Sequence, residues 1–206
     1  MDMRDIATDN VLSRKAQAAR RAIEARGMSV EKALRRALAR TAEEAWNLAL
    51  IAREARQAGL DQDGVADILE REDQMILLLD GPDGALGFAC LDRQAVTALV
   101  EVQTLGFVTD LAPDDRPLTP TDAAMAAPLV EGALARLADY LGDDPLAAEA
   151  AGWRFGAMID HPRIAINLMT AALYRTFEAA LDMGGGRRMG QVALVLPDRA
   201  AARPDP

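Results

Sequence analysis

Two pairs of apolar runs, each joined by a glycine-containing turn, constrain this chain more than any other feature of its sequence. Residues 75–79 (MILLL) and 85–91 (ALGFACL) flank the tetrapeptide GPDG at 81–84. Residues 172–183 and 189–196 flank three consecutive glycines at 184–186. Apolar runs on either side of Gly, Pro and Asp are typical of β-hairpins with largely buried strands. The sequence therefore predicts an antiparallel sheet that contains two hairpins.

A long amphipathic helix is predicted before the first hairpin. Ser29 has the side chain of an N-cap, and Glu31 places a carboxylate near the amide end of the helix. Inward-facing residues then recur near helical spacing, so we expect the helix to end shortly before Gly59. The acidic segment 61–73 is expected to be turn-like. The inward-facing stripe comprises Val30, Leu34, Leu38, Thr41, Ala45, Leu48 and Ala52.

Two further helices are marked by their first residues. Asp92 can cap a helix over residues 93–105. In the segment LTPTD at 118–122, Thr119 fits the N-cap, Pro120 the first helical position and Asp122 the third. Each of the two predicted helices is followed directly by a glycine, which is a frequent helix terminator.

The order of these elements is helix, hairpin, helix, and then helix, strand and hairpin, where the strand covers residues 153–159. This order favours a mixed α/β fold in which helices pack on an antiparallel sheet. The two halves have similar content, which suggests an internally duplicated α/β unit, although no residue repeat at a fixed period is visible.

Composition limits the function classes that remain. The chain has 206 residues, 50% of them hydrophobic, which fits one ordinary domain with a sizeable core. Its formal charge of -9 argues against nucleic-acid binding, which requires a surplus of Lys and Arg. Residues 1–40 nevertheless carry ten Lys/Arg against five Asp/Glu. We therefore expect an acidic body preceded by a basic arm that is flexible or partly helical.

Few side chains of this chain are suited to catalysis or metal binding. Cys90 is the single cysteine and His161 the single histidine, so no internal disulfide and no imidazole cluster can form. We predict no metal site and no cofactor, and we expect Cys90 to be a buried core residue. The chain shows no signal peptide and no apolar run long enough for a membrane helix, so we expect no direct membrane insertion and a reducing cytoplasmic location.

Three polar clusters have structural interpretations that outweigh catalytic ones. The glycines at 184–186, next to two arginines, could bind an anion, but a tight hairpin requires the same residues. Asp160, His161 and Arg163 could transfer protons, but a packed, salt-bridged turn is favoured because the sequence offers no nucleophile nearby. The aspartates at 110, 114 and 115 lack the glycine and the distal glutamate of a calcium loop.

Three blocks of sequence, taken in order, carry a family resemblance. They are LDRQAVTALV at 91–100, LTPTD at 118–122, and the segment that runs from YRTFE at 174–178 through LDMGGG at 181–186 to GQVALVLP at 190–197. Over residues 28–198 the chain resembles the middle domain of the flagellar motor switch protein FliM, in particular its divergent alphaproteobacterial type.

The resemblance implies both a fold and a function. It implies a three-layer α/β/α fold with pseudo-twofold symmetry and a mixed, mostly antiparallel sheet, shared with the chemotaxis phosphatases CheC and CheX. It implies a non-enzymatic structural and signalling subunit in the cytoplasmic ring of the flagellar motor, peripheral to the inner membrane at the basal body. The implied partners are a FliG-like rotor protein, a FliN-like protein, neighbouring copies of the chain and phosphorylated CheY.

Two segments are expected to bind protein partners. Family members have a Gly-Gly-x-Gly loop that contacts FliG, and here the matching segment keeps one glycine; its residues are Gly106, Phe107, Val108, Thr109 and Asp110. Phe107 and Val108 are either exposed apolar anchors or both folded inward. The second segment is the turn with Asp160, His161 and Arg163.

Both ends of the chain depart from the family pattern. Family members begin with an acidic-apolar peptide that binds phosphorylated CheY, whereas here Leu12 and Ser13 are followed by Arg14 and Lys15. We therefore expect the arm at 1–27 either to bind a different partner surface or to anchor the same one differently. Residues 199–206 are expected to be a C-terminal tail, without the FliN-like C-terminal domain.

Two alternative functions remain open at this point. The CheC/CheX phosphatases use a Glu and an Asn three residues apart on one helix face, and Glu44 and Asn47 have that spacing. Arg40 and Ile51, however, stand where the phosphatase pattern has a Ser or Asp and a Gly, so a solvated helix face is favoured. The other alternative is a sorting-platform subunit of a type III secretion system.

Overall fold

The structure, a computed structural model, describes residues 28–199. The basic arm predicted at 1–27 and the tail residues 200–206 lie outside the described residues. No helix between residues 28 and 199 is both long enough and apolar enough to cross a lipid bilayer.

The first half of the described chain runs from a long helix to a hairpin and a further helix. Its elements are α1 (Val30–Trp46), β1 (Leu50–Asp61), α2 (Gln62–Leu69), β2 (Gln74–Asp80), β3 (Leu86–Asp92) and α3 (Arg93–Leu105). The hairpin turn between β2 and β3 contains a short 3-10 segment, Pro82–Gly84. The predicted hairpin and the predicted helix over 93–105 are confirmed, and Asp92 caps that helix by accepting a hydrogen bond from the amide of Ala95.

The second half repeats the order long helix, strand, short helix and hairpin, with a short helix added after the long one and no helix after the hairpin among the described residues. Its elements are α4 (Pro120–Leu141), α5 (Pro145–Ala150), β4 (Arg154–Ile159), α6 (Pro162–Leu168), β5 (Leu173–Met183) and β6 (Arg188–Pro197). The predicted start of α4 is confirmed as a capping box, in which the Thr119 hydroxyl accepts from the Asp122 amide and the Asp122 carboxylate accepts from the Thr119 amide. The second hairpin is also confirmed.

The six strands form one antiparallel sheet in the order β1-β5-β6-β3-β2-β4. Exchanging β1 with β4, β2 with β5 and β3 with β6 turns this order into its own reverse. Each half also runs long helix, strand, short helix, hairpin. The predicted duplication and the pseudo-twofold symmetry are therefore both present in the topology.

Helices cover both faces of the sheet and produce the predicted three layers. The larger core joins α1, α3 and α4 to one face of the sheet, which contributes among others Leu77, Phe177 and Leu194. The smaller core joins α2 and α6 to the other face through Val65, Ala165 and the sheet residues between them. Cys90 lies in this smaller core, as predicted.

The prediction of one helix that continues to Gly59 is wrong. Helix α1 ends at Trp46, because Asn47 adopts a left-handed backbone conformation and its amide closes the last turn. The chain then returns as β1, an edge strand paired with β5. The polar residues of this segment do not face solvent from a helix; Arg53 and Arg56 bond across the strand pair to carboxylates on β5. The expected turn at 61–73 contains α2 as well.

Candidate protein-binding site: the α3–α4 loop

Three exposed apolar side chains lie at the start of the loop between α3 and α4. Leu105 and Phe107 are each 56% exposed and Leu111 is 74% exposed. We call these three side chains the apolar loop surface. Gly106 directs the chain out of α3, since its left-handed backbone (φ 85°) ends the helix. Large apolar side chains that stay exposed within a few residues of one another are candidates for a protein-binding surface.

Val108 points inward, opposite to Phe107. Its side chain is only 2% exposed and packs against Gly184 in the turn between β5 and β6. A Cβ added at Gly184 would lie 2.8 Å from the Val108 Cβ, so the glycine at 184 makes room for this contact. Neither alternative for this pair holds for both residues: Phe107 is exposed, whereas Val108 is folded inward and completes the core beneath the loop.

Arg188 at the start of β6 holds the middle of the loop. Its side chain is 3% exposed, and its guanidinium donates to the Leu111 carbonyl (2.9 Å) and to a Glu101 carboxylate oxygen (2.7 Å). Gln94 accepts a further bond from Arg188 (3.0 Å). The Glu101 carboxylate also accepts from the Thr109 amide (2.9 Å) and hydroxyl (2.7 Å). The loop from 108 to 111 is therefore bonded to both α3 and β6.

Two more arginines hold the second part of the loop. Arg93 donates to the carbonyls of Asp114 (3.0 Å) and Arg116 (2.7 Å) and pairs with Asp73 (2.6 Å). Arg116 makes a two-bond pair with Asp122 at 2.8 Å and 2.6 Å. Backbone carbonyls of a loop are otherwise satisfied by water, so these bonds give the loop a defined path.

The Asp122 carboxylate is the most strongly perturbed acid at this site. Hydrogen bonds from the Arg116 guanidinium, supported by those from Thr119, lower the pKa of Asp122 to about 2 against the opposing effect of burial. Asp122 thus remains charged at all ordinary pH values and links the loop to the first turn of α4. Across residues 28–199, no group of His, Cys, Asp and Glu side chains is arranged to hold a metal ion.

The second predicted binding segment lies at the end of β4. His161 is the N-cap of α6, and its Nδ1 accepts a hydrogen bond from the Arg163 amide at 3.2 Å. Asp160, His161 and Arg163 are exposed. Within the described part of the chain, no ion pair forms in this turn, so the predicted salt bridge is wrong, and no hydrogen bond joins the turn to the α3–α4 loop.

The residues of the phosphatase alternative are engaged in structural roles. Glu44 pairs with Arg40 and with Arg136 of α4, and the hydrogen bond from Arg136 is the main cause of its lowered pKa. Asn47 is the C-cap of α1 in a left-handed conformation. The two side chains therefore do not have the relationship of residues three apart within a helix, on which this alternative depends.

Other polar features of the molecule also have structural partners. A depression of about 320 Å³ lies on the face of the sheet that α2 covers. Its lining includes Glu54, Arg56, Glu178 and Gln191. Burial alone would raise the pKa of Glu178, but hydrogen bonds from Arg56 and Arg71 outweigh it and lower that pKa.

Burial raises the pKa of the Cys90 thiol to about 12, so this cysteine is not a nucleophile at neutral pH.

Comparison with known proteins identifies the fold. No protein-family profile and no curated protein sequence matches the chain. Among solved structures, the FliM middle domain of Vibrio alginolyticus matches with 13% identity and a TM-score of 0.53, over 82% of this chain and 94% of that chain. A chain of the FliG–FliM complex of H. pylori matches with 10% identity and a TM-score of 0.57, over 88% and 93%. FliY of Thermotoga maritima matches with 10% identity and a TM-score of 0.53, over 81% and 85%.

The fold and the loop together define a class of protein: a pseudo-symmetric, three-layer α/β domain that presents a fixed apolar surface. Within this class, the architecture is that of the FliM middle domain. At identities of 10–13% the similarity is one of fold, and it extends over nearly the whole described chain.

Proposed function

We propose that this protein is a non-enzymatic structural and signalling subunit of the bacterial flagellar motor switch. In this role it lies in the cytoplasmic ring of the basal body, peripheral to the inner membrane, and links the rotor to the chemotaxis signal. The fold supports the proposal, because the solved structures that share it include FliM and FliY. Their flagellar context favours this function over the type III secretion alternative.

The observation that carries the proposal is the apolar loop surface on a loop that is bonded in place. Leu105, Phe107 and Leu111 are exposed apolar side chains within seven residues of sequence, and three arginines define the path of the loop. One protein with this fold was solved as a FliG–FliM complex. We infer that the loop, residues 106–110 together with Leu105 and Leu111, is the contact with a FliG-like rotor protein.

The remaining partners and boundaries belong to the same proposal. Residues 28–198 form the switch domain, and the basic arm at 1–27 binds a partner surface of its own. A FliN-like protein, neighbouring copies of the chain and phosphorylated CheY are further partners in the ring. The exposed turn with Asp160, His161 and Arg163 is offered as a second contact, since these three residues are exposed and form no ion pair among the described residues.

The decisive experiment measures binding to the FliG-like protein of the same organism. We expect Phe107→Asp and Leu111→Asp each to weaken binding by about tenfold or more, because a charged carboxylate is left facing an apolar partner surface. Leu173→Asp is the matched control: Leu173 is 44% exposed at the start of β5, outside both proposed contact segments, and should bind normally. All three variants should melt close to the parent temperature, because the three replaced side chains are exposed.

Two results would contradict the proposal. Unchanged binding in both loop variants would remove the loop from the rotor contact. Phosphatase activity toward phosphorylated CheY that disappears in Glu44→Ala would instead support the enzymatic alternative. We expect no such activity, because Glu44 is held by Arg40 and Arg136.

A further inference from the structure

The buried guanidinium of Arg188 is bonded partly by α3 and partly by the loop. Gln94 and Glu101 of α3 accept from it at 3.0 Å and 2.7 Å, whereas its Nε makes no hydrogen bond within the described residues. Its guanidinium bonds to the carbonyl of Leu111 at 2.9 Å and lies 3.4 Å from the carbonyl of Thr109, the residues on either side of Asp110. Glu101 neutralises the charge at 2.7 Å. A buried guanidinium is costly unless its protons are bonded. Any loop path that withdraws these carbonyls therefore leaves a buried cation with fewer partners.

We propose that Arg188 is the positioning residue of the apolar loop surface. This inference rests on the proposed function in so far as the loop is the rotor contact. By holding the backbone on both sides of Asp110, Arg188 fixes where Leu111 emerges relative to Phe107. The turn between β5 and β6 also holds the loop at Val108. The Val108 side chain packs on Gly184, and the Val108 carbonyl accepts a hydrogen bond from Arg187 at 3.3 Å.

The physical consequence is a binding surface that is ordered before the partner arrives. A flexible loop loses conformational freedom on binding, and this loss weakens the affinity. A loop held by Arg188 avoids most of that loss. The partner class that fits is a folded protein with apolar depressions at the fixed spacing of Phe107 and Leu111, and not a segment that folds around the loop.

The test replaces Arg188 by lysine in the full chain. Arg188→Lys keeps the positive charge, but one ammonium group with three protons cannot reach the four side-chain and backbone partners of the guanidinium. We expect hydrogen exchange at the Thr109 and Leu111 amides to accelerate about tenfold or more, with β3 and β5 unchanged. Binding to the FliG-like protein should weaken about tenfold. Arg175→Lys is the matched control, because Arg175 pairs with Asp198 at 2.8 Å elsewhere in the fold.

Each outcome separates the inference from the proposed function. Unchanged exchange at Thr109 and Leu111, or acceleration spread equally over the whole sheet, would overturn the positioning role. A faster-exchanging loop with full affinity would overturn its link to binding. If instead Phe107→Asp and Leu111→Asp both bind normally while Arg188→Lys loosens the loop, the proposed rotor contact fails and the positioning role stands.

A second variant keeps the test valid if Arg188→Lys does not fold. Thr109→Val removes the hydroxyl that donates to Glu101 at 2.7 Å and accepts from the Leu111 amide at 3.3 Å. It leaves every buried charge in place. We expect faster exchange at the Leu111 amide alone, because Arg188 still holds the carbonyls on both sides of Asp110. Equal acceleration at the amide of residue 109 would mean that the hydroxyl, and not Arg188, positions the loop.

Discussion

Neighbouring residues of the α3–α4 loop have opposite environments, and this alternation separates stability from binding. Phe107 is more than half exposed, whereas Val108 is almost completely buried against Gly184. A mutation of the loop therefore tests either the proposed partner contact or the fold, depending on which of the two residues it changes. Changing both at once would confuse the two effects.

Val108→Asp is expected to destabilise the fold by about 3 kcal/mol or more, because it places a carboxylate in the core under the loop. Chemical denaturation of the purified variant measures this loss in the free energy of unfolding. Phe107→Asp is the adjacent control and should change that free energy by less than about 0.5 kcal/mol. A Val108→Asp variant that unfolds at the parent denaturant concentration would mean that the Val108 side chain is not buried.

The identity of these residues could be predicted from the sequence, but their directions could not. The segment 106–110 is predicted through the family resemblance, because it matches the glycine loop of FliM middle domains and keeps one of its glycines. Which side chain turns inward depends on Gly184 and Arg188, and Arg188 is 77 positions from Leu111, whose carbonyl it binds. No local pattern reports such a contact, because it forms only when the sheet brings the second hairpin beneath the loop.

At the scale of elements, the helix ends were predictable wherever a capping side chain is local. Thr119, Pro120 and Asp122 lie within four residues and specify the start of α4 by themselves. Strand β1 could not be predicted, because the contacts that determine it are distant in sequence. Its Ala, Arg, Glu and Gln residues favour helix, and the pairing that makes it a strand comes from β5, more than 100 residues later. Tertiary pairing outweighs local propensity at this edge.

The short helices α5 and α6 also carry a local sequence signal for their first residues. Asp144 and His161 are each followed by a proline, and the structure places those prolines at the first helical position. A capping side chain followed by proline thus marks the start of all three helices, α4, α5 and α6. The length of α5 and α6, six and seven residues, gives too little periodicity for the apolar pattern alone.

The capping residue Asp122 is expected to make stability depend on pH at the acidic end. Its pKa of about 2 in the folded protein is below the ordinary value of 3.8, so its contribution is present above about pH 4 and is lost as pH falls through 2. This lowering of the pKa corresponds to about 2 kcal/mol of the free energy of unfolding at neutral pH. The free energy of unfolding of Asp122→Asn should therefore be lower than that of the parent by about this amount at pH 7, and by less as the pH approaches 2.

Denaturation series at several pH values measure this difference between the parent and Asp122→Asn. Asp115→Asn is a suitable control, because Asp115 is an exposed acid of the same loop and should change stability by less than about 0.5 kcal/mol. A constant difference from pH 7 to pH 2 would show that the ion pair with Arg116 does not contribute through the charge of Asp122.

At the scale of the whole molecule, the duplicated unit could be predicted, but the way its halves interlock could not. The sequence indicated two similar halves with a hairpin each. In the structure, β1 of the first half pairs with β5 of the second, and β4 of the second half pairs with β2 of the first. Each half therefore places its first strand on the hairpin of the other half. Such pairing is long-range and leaves no local trace in the sequence.

This interlocking predicts that neither half folds alone. A chain cut between Asp114 and Asp115 leaves β1 without its partner β5 in one fragment, and β4 without its partner β2 in the other. Each fragment would also expose the apolar face of its hairpin. We expect each fragment alone to give no cooperative thermal transition by circular dichroism, and an equimolar mixture to recover one transition with the far-ultraviolet spectrum of the intact domain. A cooperative transition in the isolated fragment 28–114 would instead mean that the duplicated unit is stable without the exchange of strands.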